Sequence, residues 1–322
     1  TIDESGAGGD AKVSVHDANL IDTYTSGTIT GTILETDAST LSTLTGTGNA
    51  YTISVSGSGD AGDMVTLETR TSEEVDMTSM TTLTGTLAEV EALLTLHDDD
   101  KVNLDSGSGV SVAVTLSDTN IAVDQANTIS GQTSGVVTAT LYETAYSTLA
   151  TVTESTNNYA MTVGGTISVT EANALRAKTI GVVTATISTG DIDTLKTLTN
   201  PQSNNNYTIT ITDGSSQAAA DINTIAGLNT SGTIAAASIA TVTGTAAAVI
   251  SAYGNVDTGF GNEAININSG EITVAQARQL NGFTSSTVTG TIEAGTRISA
   301  MLDSSSGITE SGGSNVYAIT IH

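Results

Sequence analysis

Cysteine is absent from all 322 residues, which excludes disulfide staples, thiolate-bound zinc and a thiol nucleophile. Tryptophan is absent too, and there are only two phenylalanines and one proline. A core centred on large rings is therefore out of reach, whereas thin layers of Ala, Val, Ile and Leu suit repeated rungs. Basic residues are scarce: eight Lys and Arg stand against 34 Asp and Glu, for a formal net charge of -26. Lys12, Arg70, Lys101, Arg176, Lys178, Lys196, Arg278 and Arg297 are scattered singly, while the acids concentrate in the N-terminal half. Such a field repels nucleic acid and anionic membranes, both of which need a basic footprint, and it attracts cations. Three histidines, His16, His97 and His322, leave few partners for a nucleophile–base pair or a zinc site. No apolar run is long enough to insert directly into a membrane. The chain begins at Thr1 without a charged-then-apolar leader, and it stops within Ile319-Thr320-Ile321-His322, which reads as a strand. The expectation is a mature or excised segment of a longer chain, or an end that docks on a neighbour.

What the sequence does have is repetition. His16-Asp17-Ala18-Asn19-Leu20, Val123-Asp124-Gln125-Ala126-Asn127 and Val169-Thr170-Glu171-Ala172-Asn173 are copies of one phrase. Each is followed by a small-residue turn and a Thr-rich strand, as at Thr28–Ile33, Val136–Leu141 and Val182–Ile187. Weaker strands recur at Gly232–Ala237 and Thr287–Ile292, and a degenerate one at Thr82–Leu87. Aligned on these strands there are six units of roughly 52 residues, a period typical of repeat architectures. Their approximate bounds are 1–60, 61–109, 110–165, 166–214, 215–268 and 269–322.

Each unit has a second half. Apolar residues three apart, Ala38, Leu41, Leu44 and again Ile192, Leu195, Leu198, predict a short helix with one buried stripe. Ser188 and Thr189 are the N-cap candidates before the latter. Then come alternating strands opened by Tyr51, Tyr159, Tyr207 and Tyr317. Strand, helix, strand, helix with regular crossovers predicts parallel pairing. The expected fold is therefore α/β: a single elongated repeat solenoid of parallel β-strands alternating with short helices. A helix-poor β-solenoid or β-helix is the alternative. Good helix formers at Ala172–Ala177 and Val274–Leu280 favour the helical version.

With Ser117-Asp118-Thr119-Asn120-Ile121, the Asp/Glu-Ala-Asn helices and Ile209-Thr210-Ile211-Thr212-Asp213-Gly214 in view, the chain resembles the large repetitive surface proteins and adhesins of marine bacteria and cyanobacteria. The resemblance covers most of the chain through short motifs. It implies export, surface display, and roles in surface layers, fibres, adhesion or gliding. The glycine–aspartate calcium repeat that accompanies such arrays is echoed once, at Gly57-Ser58-Gly59-Asp60-Ala61-Gly62-Asp63.

The candidate calcium ligands are Asp98, Asp99, Asp100 and Asp105, behind His97, and Asp60 with Asp63 in a Gly-rich turn. Calcium takes six to eight oxygens from loops of this kind, but Asp also favours such turns without any metal. No phosphate loop, nucleophile elbow or dinucleotide fingerprint occurs, so no enzyme and no cofactor beyond calcium is expected. Thr-x-Thr pairs at 28/30, 84/86, 138/140, 184/186 and 287/289 form either an ice-ordering ladder or an ordinary soluble strand face. The tyrosines read as a stacked ladder at the core edge with hydroxyls reaching solvent, or as a glycan-binding row. Asn206-Tyr207-Thr208 and Asn229-Thr230-Ser231 match the N-glycosylation triplet. The sum is an extracellular, cell-surface structural protein, a self-associating building block of a filament, fibre or surface layer with head-to-tail homopolymer contacts. The alternative is an adhesin or phage-fibre segment that binds glycan or ice.

Overall fold

The computed structural model describes residues 12–303, 307–308 and 315–319. Its contacts divide the chain into two units. The first takes the chain up to Glu143, with 147–161 and 178–181; the second takes 144–146, 162–177 and everything from Val182.

In the first unit the order is β1 (Lys12–Val13), α1 (Val15–Asp22), β2 (Thr30–Ile33), α2 (Ala38–Leu41), β3 (Ala50–Thr52) and β4 (Ser54–Asp60). It continues through α3 (Ala61–Glu68), β5 (Val75–Gly85), α4 (Leu87–Asp98), β6 (Val102–Asn103), β7 (Ala113–Leu116), α5 (Val123–Gln132) and β8 (Val137–Thr140). Helix α6 (Tyr146–Leu149) and strand β9 (Asn158–Ile167) each contribute residues to both units. Strands β1, β2 and β3 pair in that order, and β4, β5, β7, β8 and the start of β9 form another parallel series.

The second unit carries α7 (Val169–Arg176), β10 (Val183–Ile187), α8 (Ile192–Leu195), β11 (Asn206–Thr210), β12 (Ser216–Ala218), α9 (Ala219–Leu228) and β13 (Thr233–Ala235). Then follow β14 (Thr241–Gly244), α10 (Ala246–Asn255), β15 (Ala264–Ile267), α11 (Val274–Asn281), β16 (Val288–Thr291), α12 (Ile298–Met301) and β17 (Val316–Ala318). Strands β10, β11 and β13 pair in parallel, as do β12, β14, β15, β16 and β17.

The protein is thus α/β, with mostly parallel strands in curled sheets alternating with helices. Twelve α-helices among the described residues replace the helix-poor alternative. These curled sheets do not themselves display a solenoid repeat. The last strand, β17, ends at Ala318, one residue before the stretch read as a strand; Ile319 follows it, and residues 320–322 lie outside the described residues.

The three-apart stripes behave as their spacing predicts: Ala38, Leu41 and Leu44, like Ile192, Leu195 and Leu198, are all buried. Each fully buried Leu or Ile side chain contributes about 1.5–3 kcal/mol. The cap of α8 differs from expectation. Asp191, not Ser188 or Thr189, accepts the Thr194 N–H at 2.6 Å. Ser188 donates its own N–H to Ile167 O at 2.8 Å and so prolongs the strand ladder. The Thr82–Leu87 phrase also splits: it ends β5 at Gly85, and Thr86 caps α4 in a reciprocal box with Glu89.

Three kinds of polar bolt recur between sequence-distant segments. In the first, a helical asparagine clamps the turn that follows the next short helix. Asn127 donates to Thr151 O (3.1 Å) and accepts from Thr153 N (3.0 Å); Asn173 does the same with Thr197 O and Thr199 N, both at 2.8 Å. Asn19 repeats the pattern with Thr43 and Thr45. This is the work of the Ala-Asn phrase.

In the second, a buried Thr or Asn takes the place of a ladder residue. Thr71, Thr133, Thr179 and Thr284 donate Oγ1 to the carbonyls of Tyr51, Val112, Tyr159 and Glu263 at 2.6–2.9 Å. Asn229 donates to Tyr207 O and accepts from Tyr207 N. Two residues after Thr133 and Thr179 stand Gly135 and Gly181, where a Cβ would lie 2.3 Å from Val112 O and Tyr159 O. Only glycine fits so close an approach. The third bolt belongs to the acidic residues.

Candidate functional site

Acids at strand ends reach back to open helix N-termini. Val15 N–H donates to Glu35 (2.9 Å), Leu87 to Asp118 (2.6 Å), Val123 to Glu143 (3.1 and 3.2 Å) and Ile192 to Asp213 (2.8 Å). The first N–H groups of a helix lack internal partners and carry its positive end, so a carboxylate there is both a hydrogen-bond acceptor and a charge match. Local caps add to this. Cap hydrogen bonds hold the Asp37, Glu89, Glu171 and Asp191 carboxyls below the usual carboxylate range. Much of the acidity therefore has a structural employment within the fold.

Of the candidate calcium ligands, Asp60 and Asp63 fall into the same pattern. Asp60 is the N-cap of α3, accepting from Gly62 N at 3.0 Å and Asp63 N at 3.4 Å, and Asp63 sits in the first turn of that helix. Asp98 ends α4, Asp99 caps it, and Asp100 takes the left-handed conformation at φ 55°. All three are exposed. Asp105 is separate: its Oδ1 accepts from Gly107 N (2.7 Å) and Gly109 N (2.8 Å). His97 is turned to the chain, its Nδ1 3.1 Å from Val102 O. Among the described residues, no three His, Asp or Glu side chains gather in a metal-binding group.

The tyrosines do not lie at the core edge. Tyr51, Tyr159 and Tyr207 are 0% exposed, so their hydroxyls do not reach solvent as expected; Tyr317 is half-buried. Each phenol faces a different polar residue of an earlier helix. Tyr159 Oη donates to Ala126 O at 3.2 Å and receives Asn157 Nδ2 at 3.1 Å, while Asn157 also donates to Ser130 Oγ at 2.7 Å. Tyr317 donates to Asn281. Tyr207 faces Arg176 and Tyr51 faces Asp22, and among the described residues neither of these two hydroxyls has a hydrogen-bond partner. Burial pushes the Tyr207 and Tyr317 phenols up to about 12.

Before β15, Glu263 stands where other strands carry the tyrosine, and its buried carboxylate accepts from Gly261 N, Asn262 N and the Tyr253 hydroxyl. Tyr253 stacks on Phe283 (4.5 Å, 12°) and tilts on Phe260 (4.6 Å). Both phenylalanines of the chain are therefore spent in this one cluster.

The threonines form in-register rows on the solvent side. Thr84, Thr115 and Thr138 are neighbours across β5, β7 and β8, and the row then meets Asn158. Thr186, Thr208 and Thr233 make a second row. Of the two glycosylation triplets, Asn229 is buried, 4% exposed, and engaged at both ends of its amide. Asn206 is half-buried and donates to Thr184 Oγ1.

Around the N-terminus of α5 lies an open groove of about 610 Å³, lined among others by Asp124, Gln125, Asn127, Tyr142 and Glu143. Tyr142 is 56% exposed. Sequence reading missed this place because the tyrosine ladder drew attention to the buried strand positions. The signal was a tyrosine immediately after a strand, where the sister strands carry Leu34 and Ser188. No helix among the described residues is long and apolar enough to cross a membrane. No known protein family, curated protein or solved structure matches this chain.

Proposed function

We propose that the chain is an extracellular structural protein, a self-associating building block of a bacterial cell-surface filament, fibre or surface layer, without catalytic activity of its own. The observation that carries this reading is the recurrence of the same asparagine clamps, threonine staples and acid caps along the chain. Polar side chains that could serve chemistry are committed to holding repeated segments together. A solenoid stacking of these segments belongs to the proposal. Parallel strand edges then favour head-to-tail addition of further copies, since an unpaired edge is a template for another strand. Calcium enters as a bridging ion drawn by the charge of -26.

Electron microscopy of the native material, with calcium and then with chelator, tests it. The expected outcome is regular fibres or sheets that loosen when calcium is removed. Isolated particles that stay monomeric at high concentration overturn self-association, and assemblies unchanged by chelator remove calcium from the account.

A further inference from the structure

The groove at the start of α5 has sister positions elsewhere in the chain, and they isolate what is special about it. The scaffold is shared. An acid behind the strand caps the helix from Glu35 in one copy and from Glu143 in the other, and the clamps of Asn19, Asn127 and Asn173 hold the far wall. The residue that follows the strand is not shared: it is Leu34, 53% exposed, in one copy, Tyr142 in the second and Ser188, also exposed, in the third. The exposed helix position varies too, as His16, Asp124 and Thr170.

Tyr142 has no packing role that requires an aromatic ring, because its sister positions hold leucine and serine in the same backbone setting. In a chain with ten aromatic side chains, eight tyrosines and two phenylalanines, a ring left 56% exposed at the rim of a groove is available to a ligand. Around it stand Asp124, Gln125 and the carboxylate of Glu143. A flat apolar face bordered by carboxylate and amide acceptors matches a sugar ring, which offers an apolar C–H face and a girdle of hydroxyl donors. The helix N-terminus is not open to an anion, since Glu143 already accepts the Val123 N–H and Gln125 that of Ala122. With two acids in the groove and a charge of -26 overall, an acidic saccharide is repelled.

We propose that this groove binds a neutral saccharide, with Tyr142 as the stacking platform and Asp124 and Gln125 as hydroxyl acceptors. The inference goes beyond the structural reading and does not rest on it, because a monomer carries the groove as fully as a polymer does.

The test is titration of the full chain with cellohexaose, laminarihexaose and chitohexaose, and with hexagalacturonate as the acidic counterpart, followed by calorimetry. Insoluble cellulose and chitin pull-downs separate a free oligosaccharide ligand from a polymer surface. Saturable binding of at least one neutral hexaose is expected, weakened about tenfold in Tyr142→Ser, the order that one lost aromatic contact carries. Tyr24→Ser, which removes the other highly exposed tyrosine (81%), leaves binding unchanged. Both variants keep the wild-type melting temperature, since neither side chain is buried. Leu34→Tyr, which builds the platform in the sister groove, adds a second weak site. No binding of any neutral hexaose, equal binding by Tyr142→Ser, or preference for hexagalacturonate overturns the proposal. Loss of fibres with retained sugar binding counts against self-association alone.

Discussion

Tyr159 and Glu263 each accept a threonine staple on the carbonyl, yet the side chains solve the same problem with different chemistry. At Tyr159 the slot is filled by the phenol itself, and Asn157 links its hydroxyl to Ser130. At Glu263 the slot holds a carboxylate, and the ring comes from outside, as Tyr253 of α10 stacked on Phe283. What stays constant is the staple: Thr179 Oγ1 donates to Tyr159 O at 2.9 Å and Thr284 Oγ1 to Glu263 O at 2.6 Å. The backbone bolt is what these segments share, then, and the side chain in the slot is free to vary.

The largest break in this comparison is expected at the residue two after each staple. Gly181, two residues after the Thr179 staple, has no room for a Cβ, which would lie 2.3 Å from a carbonyl oxygen, whereas Ser286 stands two residues after the Thr284 staple. Gly181→Ala should destabilise by about 3 kcal/mol, the upper range for forced overpacking, and Ser286→Gly by well under that. Chemical denaturation of the two variants measures the contrast; equal effects would show that the two turns are not equivalent.

A smaller effect is expected from removing the buried linker. Asn157→Ala leaves Val137 N–H and the Tyr159 hydroxyl each short of a partner, at a cost of about 2 kcal/mol. Asn127→Ala, which cuts an exposed clamp, costs about 1 kcal/mol. The same denaturation assay ranks them, and a reversed order would relocate the main bolt to the surface clamp.

Alkaline titration sharpens the comparison most gently. Tyr207 and Tyr317 have phenols raised from 10.0 to about 12. Between those values the unfolded chain has lost protons that the folded chain retains. The stability they contribute is therefore complete below pH 10 and declines as pH rises toward 12. Tyrosinate absorbance should show a late-titrating group coincident with unfolding. Substituting Tyr207 by Phe should remove part of that late step, whereas Glu263→Gln should leave it in place.

Much of the fold was legible in the sequence, and the reason is periodicity. Alternation at Tyr207-Thr208-Ile209-Thr210 and three-residue spacing at Ile192, Leu195, Leu198 report which side is buried, and both are local properties. The bolts were not legible. Thr179 and Gly181 look like ordinary turn formers, and nothing nearby in sequence says that one replaces a ladder residue of Tyr159, 20 positions away. The acids show the same limit: Asp60 and Asp63 suit a calcium site or a helix cap equally in sequence, because a cap and a cation both call for oxygen in a turn. The tyrosines were placed at the core edge because a hydroxyl suggests water. The structure supplies Ala126 O and Asn157 for Tyr159 instead.

The acid caps carry a consequence for how the chain is made. A helix whose first N–H is completed by Glu35, Glu143 or Asp213 waits for a residue 20 or 21 positions further on. As the chain emerges from the ribosome, each of these three helices thus lacks the acceptor for its first N–H until the following strand has been synthesised and laid down. Loops of this size close within tens to hundreds of nanoseconds, far faster than synthesis adds residues. Order would then advance behind the growing end like a seam being sewn, each stitch locked by the next, with only a short stretch of chain unprotected at any moment.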